Sequence, residues 1–132
     1  MKPRLVIGLG NRLVNEDAAG LFFFDTLRAV VPENADVEFL EGGTDLLRIG
    51  ARMRDRELIL LIDAVDQASA MLRVLEHDAP ELSEAQQHAH HLSAVQALNL
   101  IRWNDENVRG ARCYWVLVPD EATRSGSHPI IS

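Results

Sequence analysis

Short apolar runs alternate with amphipathic stretches along the whole chain. Arg4–Leu9 is apolar, partly β-branched and stopped by glycine, the pattern of a buried strand. In residues 17–31, Leu21, Phe24, Leu27 or Arg28, and Val31 follow helical spacing, and Pro32 ends the segment. The run Leu21-Phe22-Phe23-Phe24 makes this helix apolar on most of its faces, so substantial burial is expected. Residues 36–40 predict a second strand with Val37 and Phe39 on one face, followed by a Gly42-Gly43 turn. Over residues 45–53, Leu46, Ile49, Gly50 and Met53 line a helix face, with Arg48 and Arg52 outward. Residues 58–63 are the clearest central strand, and 71–76 predict a strand suited to a sheet edge. Residues 93–102 predict a helix with Ala94, Ala97, Leu98 and Ile101 inward, and 112–118 a last strand ended by Pro119.

Helices between apolar strands imply parallel pairing through right-handed crossovers. The expected fold class is α/β: a three-layer α/β/α arrangement with a mostly parallel open sheet of about five strands. Ligands of such sheets bind at the carboxyl ends of the strands, near the point where strand order reverses. That rule singles out residues 8–17 after the first strand, 63–66 after the third, and 88–93 before the last helix.

Length and composition narrow the picture. The 132 residues read as a single domain over 1–132, and 47% hydrophobic content excludes global disorder. A formal charge of −7 argues against nucleic acid or an anionic membrane as partner. The single cysteine, Cys113, allows neither an intrachain disulfide nor a cysteine zinc site, and a reducing compartment fits. No apolar run approaches the ~20 residues of a membrane span, and residues 5–10 are too short and glycine-broken for a signal peptide. A cytoplasmic location is expected.

Several polar residues stand where chemistry is possible. Gly8-Leu9-Gly10-Asn11 suggests a dinucleotide fingerprint, but Leu13 holds the position where the third glycine belongs. A plain strand-to-helix turn is the competing reading. Glu16 and Asp17 at the helix start fit capping and dipole complementation as well as a functional role. Asp63 closes the apolar run Leu58-Ile59-Leu60-Leu61-Ile62, where a carboxylate needs a partner, a cleft or a turn to cap. Asp66 is a weaker candidate beyond the strand. His88-Ala89-His90-His91 reads as a solvated loop or as the source of one imidazole at the same sheet edge as Asp17 and Asp63. Two carboxylates and an imidazole suit a borderline divalent ion such as nickel or zinc, with coordination positions left open. HExxH spacing is absent. Cys113, Trp103 and Trp115 read as packing residues, and the serines lack a nucleophile elbow.

Taken together, Leu5-Val6-Ile7-Gly8-Leu9-Gly10-Asn11 with Leu13, Glu16-Asp17 and Gly20 resembles the N-terminal motif of the hydrogenase maturation endopeptidases. The resemblance continues through Glu41-Gly42-Gly43-Thr44, Leu60-Leu61-Ile62-Asp63-Ala64, His90 with Leu92-Ser93, and Val116-Leu117-Val118-Pro119 followed by acids, over residues 4 to 121. It implies an endopeptidase that trims the C-terminal extension of a nickel-iron hydrogenase large-subunit precursor after nickel insertion. It implies nickel ligands at Asp17, Asp63 and His90, with His91 and His88 as fallbacks for the third. The same three residues are the implied catalytic set. The metal is implied to be chiefly a recognition element delivered in the substrate, with another divalent ion such as zinc able to take its place. Metal polarisation of a carbonyl and a carboxylate acting as general base are both open. The implied partner is the large-subunit precursor, and the oligomeric state is open.

Two departures from the family pattern stand out. Ala18-Ala19 replaces a common glycine-valine, and residues 121–132 form an irregular tail where relatives continue into a C-terminal helix packed on the sheet. Pro129, Gly126 and the serines exclude a long helix there. Two other readings compete: a degenerate paralogue that binds the subunit without cutting it, and a small binding module with phosphate at the glycine turn. The acids at Glu16 and Asp17 would repel phosphate.

Overall fold

A computed structural model describes residues 2–32, 34–65, 71–84 and 89–120, with residues 83, 84 and 89–92 described by their backbone alone. The strands are β1 (Arg4–Leu9), β2 (Val37–Gly43), β3 (Leu58–Val65), β4 (Arg73–Glu76) and β5 (Arg112–Pro119). The helices are α1 (Ala18–Val30), α2 (Glu81–Glu84), α3 (Ala89–Asn104) and α4 (Glu106–Arg109), with 3-10 segments at Asn15–Asp17 and Leu46–Met53. The strands form one five-stranded sheet in the order β2-β1-β3-β5-β4. β1, β2, β3 and β5 run parallel, and β4 pairs antiparallel with β5. The α/β class and the mostly parallel sheet read from the sequence are borne out. Seven residues separate Val65 from Arg73. That is too few for a crossover helix, so β4 returns antiparallel at the edge.

Alternation along the strands feeds two cores. Leu5, Ile7, Ile59, Leu61, Trp115 and Leu117 pack with Leu46 and Met53 of the second 3-10 segment and with Val95 and Leu98 of α3. On the other face Val6, Ile62, Val116 and Val118 pack with Ala19 and Phe24 of α1. The central strands are covered on both sides, which is why they read as continuous apolar runs. The chain leaves β1 toward β2 and then crosses over to β3, so strand order reverses between β1 and β3.

The structure corrects several local expectations. Residues 45–53 wind as a 3-10 segment, with Gly50 weakening any α-helix there and Asp45 Oδ1 accepting from the Leu47 amide at 3.2 Å. α1 buries one flank only: Ala19, Gly20, Leu21 and Phe24 face inward, while Phe22 and Val30 stay exposed. Trp115 is a core residue as expected, but Trp103 is exposed at the end of α3. α3 starts earlier than the expected residue 93 and ends later than 102. Among the described residues no helix is long and apolar enough to cross a membrane. Residues 121–132, and with them the expected lack of a closing helix, lie outside the described residues.

Candidate functional site

The carboxyl ends of β1, β3 and β5 carry three buried aspartates: Asp17, Asp63 and Asp120. Asp17 sits in the 3-10 turn between β1 and α1 and makes no side-chain cap to the helix. Its Oδ2 instead accepts the Asn11 amide at 2.6 Å. The capping role therefore falls away, and the carboxylate is turned back onto the loop that follows β1. Gly10 makes this approach possible. Its φ is +126°, and a Cβ there would lie 2.8 Å from Asp17 Cβ and 2.9 Å from Asp17 Cγ. The Asn11 amide that a phosphate at this turn would need is already taken by Asp17.

Asp63 lies near the end of β3 and is fully buried. By strand alternation it shares a face with Leu61 and Val65, the face covered by α3. Gly20 brings α1 against the same stretch of backbone. A Cβ at Gly20 would stand 2.9 Å from the Ala64 nitrogen and 3.2 Å from the Asp63 carbonyl carbon. Two glycines thus set the two carboxylates: Gly10 by yielding space to Asp17, and Gly20 by letting the helix behind Asp17 close on β3.

His90 and His91 fall in the first turn of α3, and their side chains are not among those described. The helix runs antiparallel to β5, since Asn99 bonds His77 and Arg102 donates to the Ala111 carbonyl at 3.0 Å. The His77 amide donates to Cys113 at the start of β5. Nine residues of helix from Asn99 back to His90 cover about 13 Å, and four residues of strand from Cys113 to Leu117 cover about the same. Leu117 is the register partner of Asp63. The helix backbone at His90 therefore stands near the level of Asp63, on the layer Asp63 faces. His88 and Asp66 lie outside the described residues. Among the described residues no group of three or more His, Cys, Asp or Glu side chains is arranged to hold a metal ion. Two carboxylates alone supply hard oxygen donors and leave a nitrogen donor to be found.

Asp120 was not singled out by sequence reasoning. It follows β5 directly, and its amide donates to Val65 O at 3.0 Å. That bond ties the end of β5 to the end of β3. The available signal was weaker than at Asp63: a carboxylate one residue beyond the apolar run Trp115-Val116-Leu117-Val118, separated from it by Pro119.

Comparison with known proteins places this architecture. No family model matches the chain. The chain is 27% identical over 108 residues to the hydrogenase 2 maturation protease of Escherichia coli K12, covering 77% of this chain and 65% of that protein. It is 27% identical over 95 residues to the hydrogenase expression/formation protein HupD of Thiocapsa roseopersicina, covering 70% and 43%. The chain thus spans less than two thirds of the length of either curated relative. The solved structure of the [NiFe] hydrogenase maturation protease HybD from Thermococcus kodakarensis superposes with a TM-score of 0.66 at 25% identity, covering 88% of this chain and 78% of that one. The resemblance read from the N-terminal motif is therefore borne out: the Escherichia coli relative and the Thermococcus kodakarensis structure that this chain is similar to are hydrogenase maturation proteases.

Proposed function

We propose that this chain is a hydrogenase maturation endopeptidase that removes the C-terminal extension of a nickel-iron hydrogenase large-subunit precursor after nickel insertion. The observation that carries this reading is the pair Asp17 and Asp63, both buried at the carboxyl edge beside the point where strand order reverses. The likeness to hydrogenase maturation proteases supplies the substrate class. In this reading Asp17, Asp63 and His90 meet nickel carried by the substrate, which serves as a recognition element. A site of two carboxylates and one imidazole, without thiolate, holds a metal of its own weakly and can test whether the substrate already carries one. The cleavage needs a group that takes a proton from attacking water, and a carboxylate shielded from bulk solvent suits that task.

The test is a processing assay on nickel-loaded precursor with Asp17→Asn, Asp63→Asn and His90→Gln. Each variant is expected to lose at least ~100-fold in rate, the scale of removing a general acid or base. Full activity in all three would remove the site assignment.

A further inference from the structure

β4 ends at Glu76, which pairs with Tyr114, while β5 begins at Arg112. The chain turns away from the sheet there. The His77 amide still donates to Cys113 O at 2.9 Å, and the Ala79 amide closes on Glu76 O at 3.0 Å. This departure leaves a cavity of about 310 Å³ at the amino end of β5, lined by Glu76, His77, Asp78, Arg102, Arg112 and Cys113 among others. Small-molecule sites begin at about this size, ~300 Å³. Four residues of strand, about 13 Å, separate Cys113 from Leu117, the register partner of Asp63. The cavity is thus at the opposite end of β5 from the aspartates.

The charges around it are unpaired. Arg102, half-buried on α3, uses Nη1 on Ala111 O at 3.0 Å and on Cys113 Sγ at 3.2 Å. Its Nε and Nη2 reach no acceptor among the described residues. Neither floor group supplies an anion. Burial keeps the Cys113 thiol protonated, and both ring nitrogens of His77 are engaged, by the Trp115 indole and by Asn99 Oδ1. A half-buried guanidinium without a carboxylate carries a desolvation cost that an anion offsets. Asp78 and Arg102 both act electrostatically on His77 and on Cys113, so the two charges face the same groups. They line one cavity and form no ion pair across it. Glu76 and Asp78 are exposed, and their carboxylates take no hydrogen bond among the described residues.

We propose that this cavity binds a small amino acid as its zwitterion. The ligand carboxylate takes the Nε and Nη2 edge of Arg102, two parallel donors that match a carboxylate. The ligand ammonium faces Asp78 and Glu76. The two acids repel phosphate and other polyanions, and Arg102 with Arg112 repels simple amines, so only a ligand carrying both charges satisfies the walls. The site stands apart from the processing role and does not depend on it. His77 lies between the cavity and Trp115, which makes the Trp115 indole N–H a reporter of occupancy.

The experiment titrates the full chain with L-alanine, acetate, ethylamine and inorganic phosphate, following the indole ¹H–¹⁵N signals by NMR, with Trp103→Phe separating the two indoles. Alanine is expected to shift the Trp115 signal saturably and to leave that of Trp103 in place. Acetate and ethylamine, which each carry one of the two charges, bind about tenfold more weakly or less, and phosphate gives no saturable shift. Arg102→Gln and the Glu76→Gln/Asp78→Asn double variant each weaken alanine binding by about tenfold, the scale of a lost bond to a charged group. Arg102 also braces the Ala111 carbonyl, so thermal melts accompany its variant. If Arg102→Gln melts early, the double variant, made at two exposed side chains, judges the site alone. Acetate or phosphate binding as tightly as alanine overturns the zwitterion. Absence of a saturable alanine shift, or alanine affinity unchanged in the double variant, overturns the site.

Discussion

Trp115 donates its indole N–H to Nδ1 of His77 across 2.9 Å, and His77 Nε2 lies 2.6 Å from Asn99 Oδ1. An amide oxygen only accepts, so Nε2 carries the proton and Nδ1 is bare: the geometry assigns a neutral imidazole. Burial pushes His77 below the usual histidine range, and the nearby Arg102 charge acts the same way, while the Asn99 bond and Asp78 oppose it. Protonation at Nδ1 would set a donor against the Trp115 donor. The folded form therefore binds its proton at lower pH than the unfolded chain. Stability is complete above about pH 6.5, the unfolded value, and falls as pH drops below it. Thermal melts at pH 7.5 and 5.5 are expected to show a lower midpoint in acid, with most of that drop absent in His77→Gln. A wild-type midpoint that is flat across this window contradicts the assignment.

Arg56 is a second buried polar group, placed at the opposite edge of the sheet from the candidate site. It donates to Lys2 O at 2.7 Å, to Arg52 O at 2.9 and 3.1 Å, and to Glu38 Oε1 at 2.8 Å. Its guanidinium, together with that of Arg52, holds the Glu38 carboxyl below its ordinary range. Arg56→Ala removes the donor to two carbonyls and one of the two guanidinium partners of Glu38, and is expected to cost about 3 kcal/mol in urea unfolding. Arg56→Lys recovers only part, since one ammonium cannot span three acceptors in this fork.

The Arg12 clamp is exposed on all sides, so its ion pairs add little to global stability. Its effect is local. Arg12→Ala is expected to leave the unfolding midpoint nearly unchanged while amide exchange speeds up at Leu13 and Val14, whose bonds depend on the Asn11 turn. The Asp25 carboxyl, held low mainly by its bond to Arg12, returns toward its ordinary range in the same variant. Both changes are read by NMR. Unaltered exchange at these two amides would show that the turn holds without the clamp.

β1 and β3 are legible in the sequence because both of their faces are covered, and Asp63 stands out as the single charge in Leu58–Val65. Asp17 is legible as a position, by its place before Gly20, but not as a contact. Nothing in the local pattern says that its carboxylate turns away from the helix to Asn11. Asp120 is hidden because it lies past Pro119, where the apolar pattern ends. α2 and α4 have four residues each, too few to show a helical period. The early start of α3 is missed because His88-Ala89-His90-His91 carries no apolar face to continue the period. The His77–Trp115 bond joins residues 38 apart and has no local signature at all.

The two glycines of positive φ beside the candidate site separate backbone strain from site geometry. At Gly43, with φ +65°, a Cβ meets nothing within 4 Å. Gly43→Ala is expected to cost about 1–2 kcal/mol, the left-handed penalty alone, with processing retained. At Gly10 the same methyl also strikes Asp17 Cβ and Cγ, at 2.8 and 2.9 Å. The loop cannot yield without moving the Asn11 amide that holds Asp17 Oδ2. Gly10→Ala is therefore expected to lower processing by about a hundredfold, the cost of misplacing a reacting group by ~1 Å. Its loss of stability should exceed that of Gly43→Ala. Paired urea unfolding and processing rates for the two variants check this. Equal activity losses would mean that backbone strain, and not the position of Asp17, limits the reaction.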